Sequence, residues 1–120
     1  MYEVKFYRDK NDKSEIVEYL DDLKAKGITS KNARLNRDKI LAYIGALEQY
    51  GTRIGQPIVK HIDGIIWELR PIANRIFFFY WRDNKFVLLH HFVKRTKKTS
   101  PREIEMARSK LKDYLERHGE

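Results

Sequence analysis

Cysteine is absent from the 120-residue chain. That excludes disulfides, a thiol nucleophile and a thiolate zinc site. Long apolar runs are missing too, and none approaches the roughly 18 residues that span a membrane. The opening MYEVKFYRDK mixes charges into its first ten residues, which is not the pattern of a secretory signal. There is no P-loop, no Gly-rich dinucleotide motif, no Ser-His-Asp order, no internal repeat and no low-complexity segment. Acidic residues are in short supply: 17 Asp and Glu face 25 Lys and Arg, a formal charge of +8, with a pI near 9.7. The expectation is one cytoplasmic domain over residues 1–120 with an anionic partner and no membrane.

What is present is enough to fold. Hydrophobic residues make up 42% and aromatics 12%, too many for a disordered basic tail. A chain of this length buries roughly two-thirds of its unfolded surface. The positive charge is unevenly spread. Residues 56–100 hold nine basic and three acidic side chains, and Lys94, Arg95, Lys97 and Lys98 crowd into five positions. Such a patch attracts phosphates and releases their counterions. It also serves as a solvated loop in proteins that bind nothing there.

The periodicity gives an element order. Tyr2, Val4 and Phe6 alternate with Glu3 and Lys5 as in a strand. Asp12 and Glu15 have capping-box spacing ahead of Ile16, Leu20 and Leu23, and Gly27 closes that helix. Thr29 or Ser30 starts a second helix, whose stripe includes Ile40, Tyr43, Ile44 and Leu47 and which ends at Gly51. Residues 65–70, 75–82 and 85–93 read as strands, with Asp83-Asn84 as a two-residue turn. Ser100-Pro101-Arg102-Glu103 opens the last helix. The predicted fold is α+β in the order β-α-α-β-β-β-α, a mainly antiparallel sheet with two N-terminal helices and one C-terminal helix.

Register then sorts the side chains. A two-residue turn pairs Arg82 with Lys85, Phe79 with Leu88, Phe77 with His90 and Arg75 with Phe92. A four-residue loop over 71–74 pairs Arg70 with Arg75, Glu68 with Phe77 and Ile66 with Phe79. Paired residues share a face. One face then holds Trp67, Leu69, Ile76, Phe78, Tyr80, Leu89, His91 and Val93. The other holds Glu68, Arg70, Arg75, Phe77, Phe79, His90, Phe92 and Lys94. Like charges opposite one another are unfavourable without an anion, and a surface ion pair through Glu68 is the bland alternative. His90 and His91 point to opposite faces and cannot chelate one metal, so no metal or other cofactor is expected.

Cations and a histidine on a sheet suit metal-independent RNA cleavage. A 2′-hydroxyl attacks the adjacent phosphate, a base takes its proton, cations hold the charge on phosphorus, and an acid protonates the leaving 5′-oxygen. The candidate catalytic residues are Glu68, Arg70, Arg75, His90 and Lys94. The two arginines clamp phosphate, Glu68 or His90 acts as base, and Lys94 stabilises charge or donates a proton. Lys60, Arg95, Lys97 and Lys98 are candidate RNA-binding residues, and Phe77 or Phe92 a stacking platform.

Three motifs occur in order: W-E-L-R at 67–70, the Arg75-Ile76-Phe77-Phe78-Phe79 strand, and the junction His90-His91-Phe92-Val93-Lys94-Arg95-Thr96-Lys97-Lys98-Thr99-Ser100-Pro101. Together with the element order they resemble the phage-derived, HigB-type branch of the RelE/ParE toxin superfamily. The resemblance implies a ribosome-dependent messenger-RNA interferase of a type II toxin–antitoxin system, working without metal. It also implies a HigA-type helix-turn-helix antitoxin, through which alone DNA would be contacted. The family's catalytic arginine falls on Arg75, its pre-loop position on Arg70, and its basic junction on Lys94, Arg95, Lys97 and Lys98. No tyrosine stands at that junction, which leaves His90 and Lys98 as candidate proton donors. A gyrase inhibitor of the ParE type and a non-catalytic RNA-binding module are the alternative functions. The antitoxin is expected on the first two helices, near Val17, Tyr19 and Leu41, or at a sheet edge.

Overall fold

A computed structural model describes residues 1–120. The elements are β1 (Glu3–Phe6), α1 (Glu15–Lys26), α2 (Lys31–Tyr50), a short 3-10 turn (Gly51–Ile54), β2 (Val59–Asp63), β3 (Ile66–Leu69), β4 (Asn74–Arg82), β5 (Lys85–Val93) and α3 (Pro101–His118). The fold is α+β, and it adds one strand to the predicted order. β2 was not foreseen: its five residues, VKHID, carry too little apolar character to announce a strand.

The five strands lie in the order β1-β5-β4-β3-β2. β1 runs parallel to β5, and the remaining pairs are antiparallel. Asp83 and Asn84 both take positive φ, 51° and 60°, as a tight two-residue hairpin demands. Helix starts follow serine. Ser14 accepts from the Val17 amide, Ser30 from that of Ala33, and Ser100 from that of Arg102. The first of these corrects the expected Asp12 cap: Asp12 sits at φ 61° in the preceding turn.

Two irregularities in the β4–β5 ladder also correct the predicted register. Phe79 pairs with Val87 and Phe78 with Leu88, whereas Phe77 pairs with His90 and Arg82 with Lys85. Trp81 and Leu89 are left without partners, one on each strand. Each extra residue shifts the pairing by one place, and the two cancel. The expected pairs therefore survive at both ends and fail in the middle. Leu89 lies on the face opposite the one predicted, beside Phe79, Val87 and Tyr114.

Both sheet faces are covered. α1 and α2 pack Ile16, Leu20, Ile40, Ile44 and Leu47 against Leu69, Ile76, Phe78, Phe86 and Leu88. α3 covers the other face, laying Ala107 on Ile66 and Phe77 and Tyr114 on Phe79 and Leu89. Phe77, Phe78 and Phe79 are all fully buried, each contributing about 2–3 kcal/mol of transfer free energy. This triple run fills both cores because consecutive strand residues alternate faces. No helix is long and apolar enough to cross a membrane.

Candidate nucleic-acid interface

Lys60 pairs with Glu68, Glu68 with Phe77, and Phe77 with His90, so these four form a row across β2, β3, β4 and β5. At the end of the sheet beyond Leu69, Arg70 and Arg75 turn towards Glu68. Its Oε1 lies 3.4 Å from the Arg70 Nε and 3.8 Å from the Arg75 Nε. The ladder stops at Leu69–Ile76, so the two arginines converge on the carboxylate and are not a directly opposed pair. Glu68 is only 1% exposed. Its Oε2 and both arginine Nε atoms are buried without hydrogen-bond partners.

The electrostatics follow from that burial. Desolvation pushes the Glu68 carboxyl above its ordinary pKa, while Arg75, Arg70, Lys94 and Lys60 pull it down. Burial likewise pushes the Arg75 guanidinium below its ordinary value, and Glu68 opposes the shift. Four cations thus surround one carboxylate. Lys60, Lys94, Arg95, Lys97 and Lys98 take part in no ion pair within 4.0 Å. Three positive charges at the cluster are left without a counter-charge.

The turn at 71–74 frames the cations. Arg75 donates from one Nη to the carbonyls of Ile72 and Asn74, at 2.8 Å each. The Lys94 amide donates to the Ala73 carbonyl at 2.8 Å. Phe92, paired with Arg75 across the ladder, packs its ring on Phe77 at 5.3 Å between centroids. The basic run from Arg95 to Lys98 is exposed and leads into α3. No deep cavity encloses the cluster. A recess of about 640 Å³ runs along α3 past Arg108, Leu111 and Leu115 and includes none of these residues.

His90 stands apart. It shares the face with Glu68, as expected, but it lies two strands away with Phe77 between, and α3 seals it at 3% exposure. Lys110 donates to its Nδ1 at 3.0 Å, and its Nε2 donates to Glu103 Oε1 at 2.9 Å. A lysine can only donate and a carboxylate can only accept, which makes His90 a neutral Nε2–H imidazole. Burial holds its pKa below the ordinary value. His91 points the other way, stacked on Tyr19 at 4.1 Å, and burial pushes its pKa down to about 4.

The structure therefore brings together Lys60, Glu68, Arg70, Arg75 and Lys94, leaves Arg95, Lys97 and Lys98 in the exposed run that follows Lys94, and separates His90. Tyr19 is not spare surface, since its hydroxyl donates to Asn74 at 3.1 Å. Leu41, at 40% exposed, is. Sequence reasoning missed Asn74, Glu103 and Lys110, whose roles depend on contacts between distant elements.

These features define an α+β domain with an open, cationic, carboxylate-centred face. Residues 18–112, well over half the chain, match the family described as phage-derived Gp49-like protein, and the chain belongs to that family. The family is related to the RelE-type toxins of toxin–antitoxin systems. No curated protein matches the sequence.

Proposed function

We propose that this protein is the toxin of a type II toxin–antitoxin system, a metal-independent endoribonuclease that cuts messenger RNA on the ribosome. One observation carries the reading: four cationic side chains converge on a single buried carboxylate and leave three charges for an anion. A phosphodiester in flight through a pentacoordinate state carries extra negative charge, and a preorganised cluster favours that state over the ground state.

In this reading Arg75 and Arg70 grip the scissile phosphate, and Lys94 stabilises the developing charge. Lys60, Arg95, Lys97 and Lys98 follow the neighbouring phosphates, as sequence-independent contacts do. Glu68 is too buried to meet a 2′-hydroxyl, and its work is to aim the two guanidinium groups. His90 is sealed under α3 and holds that helix to β5. An open face suits a polymer substrate better than a small molecule. Neutralisation falls to a HigA-type helix-turn-helix antitoxin, supported by membership of a toxin-related family.

The test is a translation reaction supplied with purified protein and with Arg75→Ala. Mapped messenger cuts that vanish with the variant are expected. Equal cutting by the variant overturns the assignment. Intact RNA together with inhibition of gyrase supercoiling would put the protein in the other toxin class.

A further inference from the structure

The turn between β3 and β4, with the first residue of β4, offers four successive carbonyls, and three of them accept from residues of the cluster. Those of Ile72 and Asn74 accept from the Arg75 guanidinium, and that of Ala73 accepts from the main-chain N–H of Lys94. The fourth, on Pro71, accepts from both the main-chain N–H of Asn74 at 3.0 Å and its side-chain Nδ2 at 3.1 Å. The turn is strained. Ile72 is β-branched yet sits at φ 59°, a region such residues avoid, and its side chain is 53% exposed. Packing of that side chain does not explain the conformation. Strain of this kind persists only where surrounding structure over-determines it.

Asn74 supplies that determination. It is 2% exposed and uses its whole amide. Besides Pro71, Nδ2 donates to Asn36 Oδ1 on α2 at 3.0 Å. Oδ1 accepts from the Tyr19 hydroxyl on α1 at 3.1 Å and from His91 Nε2 on β5 at 3.0 Å. The orientation is unambiguous, because the Pro71 carbonyl can only accept. Nδ2 must face it, so Oδ1 faces Tyr19 and His91, and His91 must carry its proton on Nε2. One side chain therefore joins α1, α2, β5 and the turn.

We infer that Asn74 is a positioning residue: its amide clamps the strained 71–74 turn to three elements and thereby sets Arg75 and Lys94 where a phosphate meets them. The catalytic part of this inference rests on the proposed RNA cleavage, whereas the clamping of Arg75 does not.

The experiment follows Asn74→Ala, Asn36→Ala and Tyr19→Phe by two readouts. The first is the set of Arg75 guanidinium N–H resonances, assigned by their loss in Arg75→Lys. In the unaltered protein they should be dispersed and slow to exchange, given the two carbonyls that hold the guanidinium. They collapse towards free-arginine values in Asn74→Ala and move part-way in the other two. The second is messenger cleavage: kcat falls about ten- to hundred-fold in Asn74→Ala with KM nearly constant, as expected when a reacting group is misplaced by around 1 Å. Should Asn74→Ala not fold, Asn36→Ala and Tyr19→Phe, each deleting one bond, decide the matter. Unshifted Arg75 resonances in folded variants overturn the inference. So does a kcat loss that merely tracks the folded fraction. If the unaltered protein cuts no messenger, the functional reading fails, and the resonances still decide the clamp.

Discussion

Glu68 Oε1 lies 3.8 Å from the Arg75 Nε, within a sheet face where neither the Arg75 Nε nor the Glu68 Oε2 has a hydrogen-bond partner. The two are held together by charge and by the strands that carry them. The carboxylate costs desolvation and offsets part of the mutual repulsion of Arg70 and Arg75. Glu68→Gln keeps the shape and removes the charge. It should lower stability by about 1–3 kcal/mol, since it strands two partly buried cations. The same variant should bind single-stranded RNA more tightly, because the cluster gains a full positive charge. Chemical denaturation and a filter-binding titration measure the two effects. Opposite signs are the expected result, and weaker RNA binding would mean that Glu68 contacts the nucleic acid.

The exposed junction makes a separate prediction. Lys97 and Lys98 have no ion-pair partners and lie outside the cluster. Replacing both with alanine should weaken RNA binding about equally across sequences. Each phosphate contact on a single strand adds roughly 0.7 to the slope of log K against log salt, so the slope should fall by about 1.4. Affinity measured at several salt concentrations checks this. A changed cleavage preference with an unchanged slope would show that these lysines read bases.

The outline of the site was legible because local chemistry sets the turn end of the β4–β5 hairpin and the two irregularities beyond it cancel. Asp83 and Asn84 tolerate positive φ, so Arg82–Lys85 pairs as expected, and Arg75–Phe92 does so because the extra residues Trp81 and Leu89 offset one another. The length of the 71–74 loop then brought Glu68 opposite Phe77. The paired irregularities at Trp81 and Leu89 were hidden, since apolar residues occupy both faces of these strands and alternation carries no signal there. β2 was hidden by its polarity, and with it the pairing that brings Lys60 to Glu68. Burial of His90 depends on Glu103 and Lys110, residues 13 and 20 positions away on α3. Nothing in the spacing of β5 announces them. The Asn74 network spans 55 positions to Tyr19 and 38 to Asn36, beyond the reach of any local pattern.

Two glycines in and after α2 should respond in opposite directions to alanine. Gly51 ends the helix at φ 64°, and an added Cβ would stand 2.8 Å from the Tyr2 ring. Both backbone and space oppose a side chain, so Gly51→Ala should cost about 1–3 kcal/mol. Gly45 lies inside α2, and a Cβ there meets nothing within 4 Å. Gly45→Ala should add about 0.5–1 kcal/mol by reducing the freedom of the unfolded chain. Urea midpoints give both values. Destabilisation by Gly45→Ala would indicate that this part of α2 meets a neighbour at close range.

Acid should unfold the protein in a window set by its adjacent histidines. Burial pushes the His91 pKa down to about 4, helped by the neighbouring His90, against weaker pulls from Glu103 and Glu15. In the unfolded chain the same group titrates near 6.5. Between those values the unfolded state binds a proton that the folded state refuses, so stability falls as pH drops through the window and levels off for this group below about 4. From pH 7.5 to pH 5 the loss should be about 2 kcal/mol. His90, also held below its ordinary value, adds to it with the same sign. Glu68 works the other way: its raised pKa favours the folded state as pH enters the carboxylate range. His91→Gln removes the titration and should flatten the profile of urea midpoint against pH between 7.5 and 5. A profile equally steep in that variant would assign the acid sensitivity to His90, whose protonation displaces the Lys110 ammonium from Nδ1 and loosens α3 from β5.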